Sequence, residues 1–392
     1  MTLILGLVLC AFAATALYRS SRQLPVATIR TRAPSTLVVS GRPVRIVWPL
    51  GVQAAVAVPA IGFTAISGPE VSAPVASLTK LMTAYLVLKD HPLGLGEQGP
   101  QIAISAQDVT LFDEDQESDQ ASYPVSVGEQ LSEYQMLEGM LVHSANNFAD
   151  MLAAWDAASV PSFVAMMNGM AVALGMTHTH YVDPSGYDQD SVSTPADQLA
   201  LARLEIRNPV FNQIVDMPSV TLPVGGAVDS YTPLVGEGGV VGLKSGFTSA
   251  AGGCDLLGLI DKTGGRTLEV LSAVTGARGA EDVISESGAL ALSLARSVAD
   301  GLVVQTIPAG TVVGRAILYG RSTDLETAGR LTLPVLPGQR ITESLSLGVL
   351  RAGARSGTRL GWLRVRNGPS LAKVRVVTGR GLGAPDLLER IF

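Results

Sequence analysis

The stretch Ala73-Pro-Val-Ala-Ser-Leu-Thr-Lys-Leu-Met-Thr83 decides how the rest of this chain is read. It reads as a turn opening a helix, with Ser77 and Lys80 three residues apart and therefore on one face. A serine hydroxyl is a poor nucleophile at neutral pH until a neighbour takes its proton. A lysine can do so only where burial or a second cation lowers its pKa enough to leave the amine partly neutral. The apolar run Leu81, Met82, Ala84, Tyr85, Leu86, Val87 and Leu88 predicts a largely buried helix from Ser77 to Asp90, which supplies that desolvation. The chain holds only five lysines in 392 residues, so a chance Ser-x-x-Lys is less expected here than in an average protein. One such tetrad, alone, still fits an ordinary helix start.

Length and composition set the frame. A chain of 392 residues allows two or three domains with a sizeable core. Hydrophobic content of 47% with 16% charged residues argues against long disorder. The net charge of −6 is unevenly spread: from Val303 onward 13 basic residues face 5 acidic ones, whereas residues 1–302 carry 15 and 29. Such asymmetry points to separate modules. Leu3 to Leu17 is apolar and followed by Arg19 and Arg22, too short for a confident span of about 20 residues. A secretory signal with Ala14-Thr15-Ala16 as the small-residue cleavage site is the better reading, although no basic region precedes it. The alternative is an N-terminal anchor and membrane association through it. Either way the chain is expected outside the cytoplasm. Cys10 and Cys254 form no disulfide framework, and Cys254 reads as a small buried residue.

Taken in order, residues 18–40 read as a tether, and Ser40 to Ile66 as short strands broken by Gly41, Pro49, Gly51 and Pro59. After a strand-like Ile-Ala-Ile at 102–104, the acidic run Asp108, Asp113, Glu114, Asp115, Glu117 and Asp119 reads as a solvated loop. It lacks the glycine and glutamate of a calcium loop. Val127 to Leu131 is read as opening a helix that ends at His143-Ser-Ala-Asn-Asn147, with a second helix from Phe148 to Trp155 and a third from Pro161 to Leu174. His178-Thr-His180 has no third ligand near it in sequence, so neither metal nor cofactor is expected. Ser193-Thr-Pro-Ala-Asp197 reads as a helix cap with proline in the first turn. Gly239 to Thr248 reads as a strand with Gly246 where a ligand backbone approaches. Two further strands and the Asp282–Leu302 helix follow. After Val303, runs at Val312–Leu318, Leu331–Val335, Leu345–Leu350, Leu360–Val365 and Lys373–Val377 predict a small all-β domain.

Three islands now stand in order: Ser77-x-x-Lys80, Ser144-Ala-Asn146 and Lys244-Ser-Gly246. Together they resemble the penicillin-recognising serine acyltransferases, with their Ser-x-x-Lys, Ser-x-Asn and Lys-Thr-Gly signature. Within that group residues 35–300 look like the low-molecular-weight D-alanyl-D-alanine carboxypeptidases. The contexts Phe163-Val-Ala-Met-Met-Asn, Ser193-Thr-Pro-Ala-Asp and Gly242-Leu-Lys-Ser-Gly-Phe-Thr extend the likeness. The resemblance implies an α+β transpeptidase-like domain, an antiparallel sheet flanked by helices, over residues 35–302. Residues 1–34 would precede it as leader and tether, and residues 303–392 would follow as the β domain.

It further implies a penicillin-binding serine peptidase that removes the terminal D-alanine from peptidoglycan stem peptides and is acylated by β-lactams, with no nucleic-acid partner. Ser77 would attack, Lys80 would take its proton, Ser144 would relay a proton to the departing amine, and Asn146 would fix Lys80 or the substrate amide. Lys244 would depress the pKa of Lys80 and, with the hydroxyls of Ser245 and Thr248, receive the terminal carboxylate. The N–H groups of Ser77 and Phe247 would form the oxyanion hole beside Gly246. Two departures stand out: Ser245 replaces the usual threonine, and beyond Arg278 a further arginine is missing. The rivals are an endopeptidase cutting peptidoglycan cross-links, a β-lactamase and a wall-binding module with a relict site. Glu205-Ile-Arg-Asn208 lacks the deacylation pattern of the β-lactamase, and the intact islands argue against the relict.

Overall fold

The computed structural model describes residues 24–31 and 35–384, together with 11, 13–15 and 18. Cys10 and most of the apolar leader therefore lie outside the described residues. Among the described residues no helix is long and apolar enough to cross a membrane. The chain divides into two compact units, Val44–Gly301 and the combination of the chain up to Pro43 with that from Leu302.

The first unit is built on a five-stranded antiparallel sheet in the order Val240–Thr248, Gly252–Thr263, Arg266–Ala277, Gln53–Val58, Phe63–Ser67. Gly264 and Gly265, both at positive φ, form the two-residue turn of its central hairpin, where Thr263 pairs with Arg266. Gly252 to Leu259 are buried without alternation. That run requires cover on both faces of the sheet. The Val283–Ala299 helix covers one face, and Ser272 Oγ donates to Ala291 O at 2.8 Å across that contact. The other face carries the short turn Ala76–Thr79 and the helix Pro195–Glu205. Behind them the Lys80–Asp90 helix is packed among Glu133–Leu141, Asn146–Ala157 and Pro195–Glu205. Its Leu81, Met82 and Leu86 are fully buried, each contributing about 1.5–3 kcal/mol.

Within this unit the acidic run and residues 130–132 depart from the sequence reading. The acidic run is a helix, Ala106–Glu117, because Ser105 and Asp108 satisfy each other's backbone N–H groups in a capping box that starts it. Residues 130–132, read as the start of a helix, form a strand paired with Gln101–Ala103. The helix begins at Glu133, after Ser132 caps it in a second box with Gln135.

The second unit is an antiparallel sheet of seven strands, in the order Thr28–Thr31, Val312–Leu318, Arg321–Thr327, Ser370–Thr378, Arg359–Asn367, Arg340–Leu347, Ser35–Val38. A two-stranded ribbon joins Val303–Ile307 to Leu331–Val335. The core draws on Val313, Leu325, Leu333, Leu363 and Val376. Residues 28–31 and 35–38 are thus neither tether nor part of the first unit. Their outward side chains carry no apolar alternation, and the pairing partners that make them strands lie some three hundred residues away in sequence.

Candidate active site

Ser77 sits in the turn Ala76–Thr79 that feeds directly into the Lys80–Asp90 helix. The turn is tight because Ala76 adopts φ 49°, a left-handed conformation that costs a non-glycine residue about 1–2 kcal/mol. Packing holds it there. A Cβ on Gly186 would lie 1.9 Å from Ala76 O, and one on Gly246 only 2.6 Å from Ser77 N. Gly246 is therefore glycine to admit the backbone of Ser77, not that of a ligand.

Lys80 is fully buried, and its Nζ donates to Ser77 Oγ (3.0 Å), Asn146 Oδ1 (2.5 Å) and Ser185 O (2.8 Å). Burial pushes its pKa down to about 8, partly opposed by the nearby carboxylates Asp183, Asp150 and Asp115. Burial chiefly, and then mutual repulsion, pushes Asp150 up to about 7. Asp115 goes up to about 6, mainly through burial. Lys80 and Lys244 are both fully buried, and the repulsion between the two amines disfavours the charged form of each. Burial first and Lys80 second hold Lys244 well below the ordinary lysine range.

The second island opens the Asn146–Ala157 helix. Asn146 is oriented at both ends, with Oδ1 on Lys80 and Nδ2 donating to Gln120 Oε1 at 2.7 Å. Ser144 is fully buried at φ 68°, and its hydroxyl has no hydrogen-bond partner among the described residues. The hydroxyl of Ser144 is thus left available to a group in the cleft that Ser144 lines.

The third island lies on the outermost strand of the sheet, whose free side borders a cleft of about 930 Å³ lined by Ser77, Ser144, Asn146, Phe247 and Thr248. Lys244 and Ser245 are fully buried. Lys244 Nζ donates to Ser245 O at 2.8 Å and stands 5.8 Å from the centre of the Tyr231 ring. Ser245 Oγ donates to Tyr231 O at 2.7 Å, so its hydroxyl is already committed and does not line the cleft. Thr248 does line it; its Oγ1 accepts from Ala251 N at 3.0 Å, which leaves the hydroxyl proton free for an acceptor in the cleft. Arg278 donates to Ser249 O and Ala250 O, clamping the turn beyond Thr248.

Sequence reasoning reads Asp183-Pro-Ser-Gly186 as a turn but gives it no part in the site. Asp183 Oδ2 accepts from Ser185 Oγ, Gly186 N and Tyr187 N at 2.6–2.9 Å, and this folds the turn so that Ser185 O meets Lys80 and Pro184 O meets Thr83 Oγ1. The Asp-Pro-Ser-Gly string announced a turn, but nothing in it announced where the carbonyls would point. Gln120 carried no sequence signal at all.

Comparison with known proteins bears on the family and the fold. The family model described as D-alanyl-D-alanine carboxypeptidase matches residues 67–279. A D-alanyl-D-alanine endopeptidase of Pseudomonas aeruginosa is 38% identical over 154 residues, 39% of this chain and 46% of that protein. The D-alanyl-D-alanine carboxypeptidase DacB2 of Mycobacterium tuberculosis is 36% identical over 138 residues, 32% of this chain and 46% of that one. The matched region thus spans about half the length of these curated relatives. Among solved structures, penicillin binding protein 5 from Haemophilus influenzae superposes with a TM-score of 0.60 at 20% identity, covering 86% of this chain and 99% of that one, a likeness of fold.

Proposed function

The chain belongs to the D-alanyl-D-alanine carboxypeptidase family, and from that premise we propose that it is a serine D,D-peptidase which removes the terminal D-alanine of peptidoglycan stem pentapeptides. The observation that carries this reading is the seat of Lys80: fully buried, three acceptors around Nζ, and Ser77 Oγ one of them at 3.0 Å. With a pKa near 8, about one lysine in ten is neutral at pH 7. The neutral amine keeps two N–H bonds, to Asn146 Oδ1 and Ser185 O, and turns its lone pair to the Ser77 hydroxyl. Ser77 Oγ then bonds to the carbonyl carbon of the penultimate D-alanine while its proton passes to Lys80. The C–N bond breaks as the departing amine takes a proton through the unpartnered Ser144 hydroxyl. Water hydrolyses the ester and regenerates Ser77.

The free edge of the Val240–Thr248 strand offers backbone groups to an extended peptide. The terminal carboxylate is received by Thr248 and the charge of Lys244, without Ser245. A β-lactam acylates Ser77 in the same way. Because stem peptides lie outside the cytoplasmic membrane, the same reading places the chain there.

A second reading, cleavage of the D,D bond in cross-linked dimers, has specific support in the endopeptidase name of the 38% relative. The deciding experiment is D-alanine release from pentapeptide muropeptide against cleavage of cross-linked dimers, with Ser77→Ala as control. Release abolished in the variant is expected. Dimers cleaved without release moves the assignment to endopeptidase, and turnover that survives Ser77→Ala ends both readings.

A further inference from the structure

Away from the cleft, the first unit gathers three metal-ligating side chains that the sequence keeps far apart. Glu70, His178 and Asp197 each offer a ligand atom within 4.8 Å of the others. Glu70 precedes the Ala73–Pro74 strand, His178 follows the Val160–Ala173 helix, and Asp197 lies in the first turn of the Pro195–Glu205 helix. The sequence reading set metal binding aside because His178 lacked a third ligand. The fold supplies two.

The donors are also held in place. Asp197 is only 7% exposed, and its Oδ2 accepts from His178 N (2.9 Å) and Thr179 Oγ1 (2.7 Å). Its Oδ1 accepts no hydrogen bond among the described residues. Glu70 Oε1 accepts from the hydroxyl of Thr194 at 3.3 Å. His178 Nδ1 stands 3.3 Å from Thr177 Oγ1, while Nε2 meets no partner among the described residues. Neither carboxylate is ion-paired with a cationic side chain there either. Two carboxylates this close repel each other, and a doubly charged cation between them turns that repulsion into attraction. Orienting hydrogen bonds to the far oxygen of a ligating carboxylate are what a metal site uses to fix its ligands.

We propose that Glu70, His178 and Asp197 bind a divalent transition-metal ion of the zinc class. The imidazole selects zinc-like ions over magnesium or calcium, and three protein donors leave a fourth position for water. The ion ties the segment that leads into Ser77 to the start of the Pro195–Glu205 helix, reinforcing the short pairing of Ala73–Pro74 with Val192–Ser193. Its role is structural, and the acylation chemistry does not pass through it.

The test uses the full chain without a histidine tag, stripped with chelator and desalted, and titrated with zinc chloride by calorimetry and thermal melting. One equivalent of zinc is expected, with a raised melting temperature that magnesium chloride at the same concentration does not reproduce. His178→Ala and Glu70→Gln should each weaken binding by about tenfold or more, while both remain acylated by a fluorescent β-lactam at the wild-type rate in zinc-free buffer. His91→Ala, which removes the separate His91–Asp156 pair, should leave zinc binding unchanged. No bound equivalent, or one held equally by His178→Ala, overturns the proposal.

Discussion

The molecule buries two lysines completely and surrounds them differently. Around Lys80 three oxygens accept from Nζ and three carboxylates stand nearby, so burial lowers its pKa only to about 8. Lys244 has the carbonyl of Ser245 as its hydrogen-bond acceptor and the Tyr231 ring beside it, and burial together with the charge of Lys80 holds it well below the ordinary lysine range. The first environment keeps an amine close to the pH at which it can both hold and release a proton. The second disfavours the ammonium until an anion arrives to pair with it. Under the proposed function, these surroundings suit one to proton transfer and the other to carboxylate binding.

That contrast can be broken most decisively at Lys80. Lys80→Ala should cut acylation by a fluorescent β-lactam about a thousandfold or more with the fold intact by circular dichroism; acylation within tenfold of wild type removes the lysine from its proposed role. Lys244→Met should lower kcat/KM for the pentapeptide about a hundredfold, mostly through KM. A loss confined to kcat would mean that the two lysines do not divide the work as proposed. The wild-type acylation rate should rise about tenfold per pH unit below pH 8 and level off above it, since only the neutral amine accepts a proton. Asp183→Asn removes a charge that favours the ammonium, so the midpoint should move to lower pH; a profile flat from pH 6 to 8 contradicts the assignment. The smallest effect belongs to Ser245→Ala. The loss of its buried bond to Tyr231 O should cost about 1 kcal/mol of stability, while KM stays within about threefold. A large rise in KM would return Ser245 to the carboxylate pocket.

Local signals in the sequence were enough for several of the helices and the three islands. Lys80 was placed by its apolar followers, the Pro195–Glu205 helix by Thr194 and Pro195, and the strands Val312–Leu318 and Leu331–Val335 by their apolar runs. What escaped was whatever depended on a distant partner. The strand Arg321–Thr327 is written in charged and polar residues and becomes a strand by pairing with Val312–Leu318 and Ser370–Thr378. The acidic helix hid because its charges outweighed a two-residue cap at Ser105 and Asp108. In the site, side-chain identity was legible but direction was not. Ser245 points to Tyr231, Gly246 yields to Ser77, and the Asp183 turn aims a carbonyl at Lys80, all of them properties of packing between segments far apart in sequence.

The unpaired edge of the Val240–Thr248 strand has a cost during folding and storage. An edge that must stay open to take in an extended peptide is equally open to any other extended chain, including a nascent copy of itself. The strand gives little protection of its own, since its one charged side chain, Lys244, is buried and points no charge into solvent. Under the proposed function, whatever fills the cleft beside that strand also covers the edge.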